Sequence, residues 1–157
     1  MKAGLPRDGA IDSGAYLYPV RVYYEDTDAA GLVYYANYLK FAERARTEML
    51  RRLGIEQQRL RAESGVLFVV RRCTIDFLAP ARLDDDLVVE TRLAALGGAS
   101  LDIDQDVARD GDRLVRLAVR IACIGSSGRP HRLPPALKAA LASLSNPETR
   151  MVMAHAR

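Results

Sequence analysis

The chain has 157 residues, enough for one domain with one hydrophobic core, and 49% of them are apolar, as in an ordinary folded protein. A net charge of +3 arises from 23 basic residues spread along the chain. That suits an anionic small molecule or an acidic partner, and it argues against nucleic acid, because no basic stripe with interleaved aromatics occurs. No stretch approaches the ~20 apolar residues of a membrane span, and the N-terminus lacks the apolar core of a signal peptide, so a cytoplasmic protein is expected.

Residues 1–14 are rich in Gly, Asp and Pro and read as a flexible arm. A strand is expected over residues 16–25, with Pro19 near its start, where a missing N–H is tolerated. From residue 36 to 53 the period turns helical: Tyr38, Phe41, Ala42, Ala45, Met49 and Leu53 form one stripe. Lys40, Glu43, Arg44, Glu48, Arg51 and Arg52 form the other face, with Glu48 and Arg52 spaced as a helical ion pair. Gly54 is placed to end the helix at positive φ.

Four hairpin-linked strands are expected next. Residues 65–78 are apolar and β-branched, 87–96 alternate and close at Gly97-Gly98, and 100–108 set Leu101, Ile103, Gln105 and Val107 against three aspartates. Asp110-Gly111 is a strong hairpin turn before the alternating run 113–124. Cys73 and Cys123 lie inside strands, form no C-x-x-C, and are expected to be small buried apolar residues. "RLPPALKAAL" reads as a short terminal helix, and residues 145–157 as a loose tail. One long helix cannot be buried in a flat sheet, so the sheet must curl around it. The expectation is an α+β domain over residues 15–144, a five-stranded antiparallel sheet wrapped around one helix. Open sheet edges predict a homodimer or homotetramer.

Few residues are placed for chemistry. No G-x-S-x-G, G-x-G-x-x-G, Walker loop or metal-ligand spacing is present, so no cofactor and no metal are expected. His131 falls in a polar loop and His155 in the tail, and "LDDDL" at 83–87 reads as a solvated turn. The exception is "EDTDAAG", residues 25–31, between the first strand and the helix. Ala29, Ala30 and Gly31 would let a ligand approach the backbone, and the helix start offers unpaired N–H groups for a developing oxyanion. There Asp28 is placed to act as general base or nucleophile. The competing reading is that Asp26, Thr27 and Asp28 are turn and capping residues.

The segment "VRVYYEDTDAAGLVYYANYLKFAERARTEML" closely resembles the signature of the 4-hydroxybenzoyl-CoA thioesterase family of hotdog-fold enzymes, and most of all its Tol-Pal-associated, YbgC-like branch. The likeness continues through "FVVRRCTIDFLAPARLDDDL" into "PHRLPPAL". It implies a hotdog fold and hydrolysis of acyl-CoA thioesters. It implies that Asp28 is the catalytic carboxylate and that the backbone N–H of Tyr35 polarises the thioester carbonyl. Many YbgC-like members carry histidine where this chain has Tyr35; a backbone donor survives that change. Asn37 is expected either to hold the helix start or to touch substrate. Arg71 and Arg72, read as neighbours on a central strand, would point to opposite faces, and one is a candidate for a CoA phosphate. The competing function is a weakly catalytic or non-catalytic module that binds acyl carrier protein or cell-envelope lipid machinery. A hotdog dehydratase is disfavoured, because no histidine falls in a helix or strand.

Overall fold

The computed structural model describes residues 4–144. In chain order the elements are β1 (Ala10–Asp12), β2 (Ala15–Arg21), a 3-10 turn (Tyr24–Asp26), α1 (Asn37–Arg52), α2 (Gln57–Ser64), β3 (Leu67–Phe77), β4 (Asp86–Leu96), β5 (Ser100–Arg109), β6 (Asp112–Ile124) and α3 (Pro135–Ala142). The strands form one antiparallel sheet in the order β1-β2-β4-β5-β6-β3. The tail expected over residues 145–157, and His155 with it, lie outside the described residues.

The sheet wraps α1 because α1 carries the expected stripe: Tyr38, Phe41, Ala42, Ala45 and Met49 are all buried. Fully burying one side chain such as Phe41 stabilises by about 1.5–3 kcal/mol. Ala42 and Ala45 add so little bulk that the helix backbone comes near β2, β4 and β5. Gly54 takes φ +82° just past the helix, as its position predicts. At the β5–β6 turn Asp110 and Gly111 both have positive φ, the geometry that matches strand twist in a two-residue hairpin.

Several expectations are corrected. The sheet has six strands, not five: part of the presumed arm forms β1, which pairs with β2. The strand before the loop stops at Arg21 rather than 25, because residues 23–26 bond among themselves instead of with a neighbouring strand. Helix α2 was not expected; "QQRLRAES" has no buried residue and therefore shows no apolar stripe. The four later strands are not all linked by hairpins. β3 pairs with β6, leaving β4, β5 and β6 as the hairpin series, so β3 is an edge strand and not a central one. Glu48 pairs with Arg51, at 3.7 Å, while Arg52 reaches Asp8, at 3.8 Å; both are surface contacts worth little.

Cys123 is buried as expected, but Cys73 is exposed. On β3, Val70, Cys73 and Phe77 oppose Ile121, Val119 and Val115, which are buried, so all three lie on the core side of the sheet. They are nevertheless exposed, Val70 at 49% and Phe77 at 50%. The helix covers β2, β4 and β5 and leaves the inner face of β3 open, so a groove runs between α1 and β3.

Candidate active site

The loop between β2 and α1 is built on Asp26. Its Oδ2 accepts the Tyr23 N–H (2.8 Å), and its carbonyl accepts the Tyr34 N–H (2.9 Å) and the Asn37 side-chain amide (2.8 Å). Asp26 and Asn37 are both buried. Of the two roles weighed for Asn37, its amide group is engaged in the first, tying the start of α1 to the loop.

The link from β3 to β4, residues 78–85, clamps the same loop from the other side. Val33 N–H donates to the Ala81 carbonyl (2.9 Å), Leu83 N–H donates to the Gly31 carbonyl (3.1 Å), and Leu32 bridges Arg82. The Ala81 N–H donates to the buried Tyr38 hydroxyl (2.9 Å), so the link is fastened to α1 as well. Burial pushes the Tyr38 phenol above its ordinary pKa, against the opposing effect of that N–H. The "LDDDL" carboxylates are largely committed: Asp85 accepts from the Arg82 N–H (2.8 Å) and from Arg109 (2.5 Å), and Asp86 pairs with Arg21 (3.1 Å). Among the described residues no cluster has the makings of a metal site.

Asp28 stands on this frame, exposed to solvent. Its Oδ1 accepts the N–H groups of Ala30 (2.9 Å) and Leu32 (3.2 Å), which fixes the carboxylate against its own turn. Among the described residues its Oδ2 has no hydrogen-bond donor. Gly31 has φ +75°, which few other residues adopt, and a Cβ there would meet open space. Its need is therefore conformational.

Asp28 and Tyr35 line one groove of about 450 Å³, floored by Val33 and Tyr38 and walled by residues 77–80. The Tyr35 ring lies edge-on to Phe77 at 6.1 Å and 4.8 Å from Tyr34 between centroids. A hydrogen bond with Tyr35 raises the Tyr34 phenol above its ordinary pKa. Among the described residues the Tyr35 backbone N–H has no acceptor. The geometry thus brings together a fixed carboxylate with one uncommitted oxygen and an unpaired N–H at a helix start.

The two arginines fall elsewhere. The register shifts between Val70 and Arg72, so Arg71 is the extra residue of a bulge on an edge strand, and simple alternation between opposite faces does not apply. Arg72 lies opposite Arg120, on the outer face of the sheet and away from the groove. The Arg120 guanidinium grips Asp102 with two bonds, 2.8 and 3.0 Å. That bond, aided by the charges of Arg120 and Arg72, holds the Asp102 carboxyl below its ordinary pKa. His131 is exposed and bonds the Arg132 carbonyl through Nδ1 (2.7 Å), and it takes no part in the groove.

Two features of this region escaped the sequence reading. Phe77 and Leu78 wall the site because β3 ends beside the start of α1. Arg46 is buried beneath the helix and donates to the buried Gln105 (2.8 Å) and to Glu43. A signal existed for the second: Gln105 sits among apolar residues on β5, and a polar group there needs a partner.

A sheet wrapped around one long helix, with a carboxylate loop at the helix start, defines a hotdog thioesterase-like domain. The chain belongs to the thioesterase-like superfamily, which it matches over residues 22–141. It is 45% identical over 131 residues to the acyl-CoA thioesterase YbgC of Haemophilus influenzae, covering 83% of this chain and 96% of that one. To the acyl-CoA thioester hydrolase YbgC of Escherichia coli it is 46% identical over 131 residues, covering 82% and 97%. Its fold matches the solved structure of a probable thioesterase from Bartonella henselae with a TM-score of 0.73 and 39% identity, over 76% of this chain and 99% of that one. Among the described residues no helix is long and apolar enough to cross a membrane.

Proposed function

We propose that the protein hydrolyses acyl-CoA thioesters to the free acid and CoA, with Asp28 as the reacting carboxylate and the Tyr35 N–H polarising the thioester carbonyl. The observation that supports this reading is that Asp28, with one carboxylate oxygen uncommitted among the described residues, and Tyr35, with a backbone N–H unpaired among them, line the same groove. The similarity to acyl-CoA thioesterases over most of the chain supports the substrate class.

Two routes use the same groups. In one, Asp28 Oδ2 attacks the carbonyl carbon, the oxyanion forms against the Tyr35 N–H, and its collapse expels the CoA thiolate and leaves an acyl-aspartyl anhydride that water cleaves. In the other, Asp28 takes a proton from water as the water attacks the same carbon. CoA thiolate is a good leaving group, so neither route needs a histidine as general acid. Label found in Asp28 after a single turnover in ¹⁸O-water identifies the first route, because it enters only when water attacks the aspartyl carbon of an anhydride.

The deciding experiment is turnover of a panel of acyl-CoAs by wild type and Asp28→Asn. A fall on the order of 10²-fold or more is expected, the scale of a positioned base; wild-type rates in the variant would remove Asp28 from the mechanism. A module that only binds acyl carrier protein would hydrolyse no thioester above buffer. His131→Ala is expected to retain wild-type turnover.

The reading includes a homo-oligomer, with β3 at the subunit boundary. β3 is eleven residues long, open on one edge, and exposes Val69 and Val70, features that proteins avoid on an edge facing water. Light scattering at micromolar concentration is expected to give a multiple of 17.3 kDa; a monomer would count against it.

A further inference from the structure

The groove does not end at Phe77. Facing β3, α1 runs antiparallel to it: Tyr35 and Tyr38 meet Phe77 with centroids 6.1 and 5.9 Å away, Arg46 lies close enough for its charge to act on Cys73, and Arg46, Met49 and Leu50 share a hollow with Phe68 and Val70. Between these two hollows the inner face of β3 presents Cys73 and Phe77, both exposed. Arg46 lines the farther hollow, of about 50 Å³, together with Met49 and Leu50.

Arg46 is an unusual residue for that place. Apart from Asn37 at the helix start, it is the one polar residue among the buried residues of α1. Its guanidinium donates to Gln105 Oε1 and to Glu43, and Gln105 in turn donates to the Ala42 carbonyl and to Thr91 Oγ1, each at 3.0 Å. An apolar side chain of similar volume would avoid the cost of removing a charge from water. Nothing in the chemistry at Asp28 uses this network.

We propose that Arg46 sets the acyl-chain length accepted by the site. The acyl group of a thioester held at Asp28 lies along the α1–β3 groove past Phe77 and Cys73, and its end stops at the guanidinium, short of the hollow. A methylene chain pressed against Arg46 strips water from a charge, and passing it requires breaking the bond to Gln105 and leaving a buried amide unpaired. The span is set by the helix. Tyr38 and Arg46 are eight positions apart, ~12 Å at ~1.5 Å per residue. An extended chain advances ~1.2 Å per bond, a third of an extended residue, so the groove takes roughly ten carbons. The substrates are short- to medium-chain acyl thioesters. This inference rests on the hydrolase reading of Asp28.

The test measures kcat/KM for butyryl-, octanoyl- and hexadecanoyl-CoA with wild type, Arg46→Met, Cys73→Phe and Asp28→Asn, with thermal melts and light scattering on each. Arg46→Met removes the charged stop and is expected to raise the hexadecanoyl-to-octanoyl ratio about 10-fold or more, through KM rather than kcat. Cys73→Phe puts bulk into the groove before the stop and is expected to lower the octanoyl-to-butyryl ratio by a similar factor. Cys73 is exposed in the single chain, so this second variant carries the test if Arg46→Met does not fold, with light scattering required to show the wild-type assembly. A wild-type enzyme that favours hexadecanoyl-CoA overturns the inference, as do unchanged ratios in the folded variants. If those ratios stay unchanged while Asp28→Asn is inactive, the length stop alone fails. If Asp28→Asn keeps full activity, the failure belongs to the assignment of the carboxylate.

Discussion

Two halves of one loop place the same side chain in opposite circumstances. In residues 23–26, Asp26 is buried, its carboxylate accepts the Tyr23 N–H, and its carbonyl holds Tyr34 and Asn37. In residues 28–31, Asp28 is exposed, is anchored among the described residues through one oxygen only, and lines the groove. One aspartate is part of the frame; the other is presented by it. What separates the two is the hydrogen-bonding capacity that the fold leaves over, since residue type is the same and the positions are two apart.

Single substitutions can break that contrast. The largest effect is expected at Asp28: Asp28→Asn keeps the Oδ1 acceptor, so it should lose on the order of 10² or more in turnover while its melting temperature stays near wild type. Asp26→Ala should do the reverse in kind. It leaves the Tyr23 N–H without its acceptor and should cost about 1–2 kcal/mol, a shift of several degrees by thermal melt. If Asp26→Ala instead abolished turnover at unchanged stability, frame and reacting group would have to be exchanged.

Gly31→Ala probes the backbone between the two halves. There is room for a Cβ, so the cost is conformational alone, about 1 kcal/mol, and the melt should fall by a few degrees. A larger loss of kcat than of stability would mean that the turn aims Asp28 as well as closing the loop.

The smallest effect sharpens the comparison with a carboxylate far from the loop. Asp104 on β5 has its carboxyl raised above the ordinary pKa, chiefly by partial burial and then by Asp106. A raised carboxyl binds protons more tightly when folded, so its penalty is absent below the ordinary carboxylate range and complete above the raised value. Asp104→Asn is therefore expected to stabilise slightly at neutral pH, by about 1 °C, and the gain should vanish in melts below about pH 4. A gain that persisted in acid would rule out ionisation as its cause.

The sheet edges carry the same lesson on a larger scale. β1 is three residues long with two of them exposed, a blunted edge. β3 is eleven residues long with apolar side chains exposed on both faces. One edge ends a sheet in water, and the other leaves a groove on its inner face and unpaired backbone along its margin.

Sequence by itself determined the local structure: the stripe Tyr38, Phe41, Ala42, Ala45 and Met49 makes α1 a core helix, Asp110-Gly111 makes a hairpin, and the alternation of β5 and β6 sorts their side chains by face. It also singled out "EDTDAAG", because a carboxylate beside small residues before a helix start is legible in one dimension. Tertiary structure decided the rest. Alternation says which face a side chain takes but not which strand lies next to it, so only the fold could place β3 at an edge beside β6 and leave Cys73 exposed. The polar pattern of "QQRLRAES" is the same for a loop and for a helix that packs only Leu60, partly buried, against the core, so α2 stayed hidden. The division between Asp26 and Asp28 was hidden too, because it depends on Asn37 reaching back eleven residues and on a link at 78–85 arriving from the far edge of the sheet. Arg46 carries the point furthest: its burial is set by Gln105, fifty-nine residues away, and sequence patterns of period two or 3.6 hold no information over that distance.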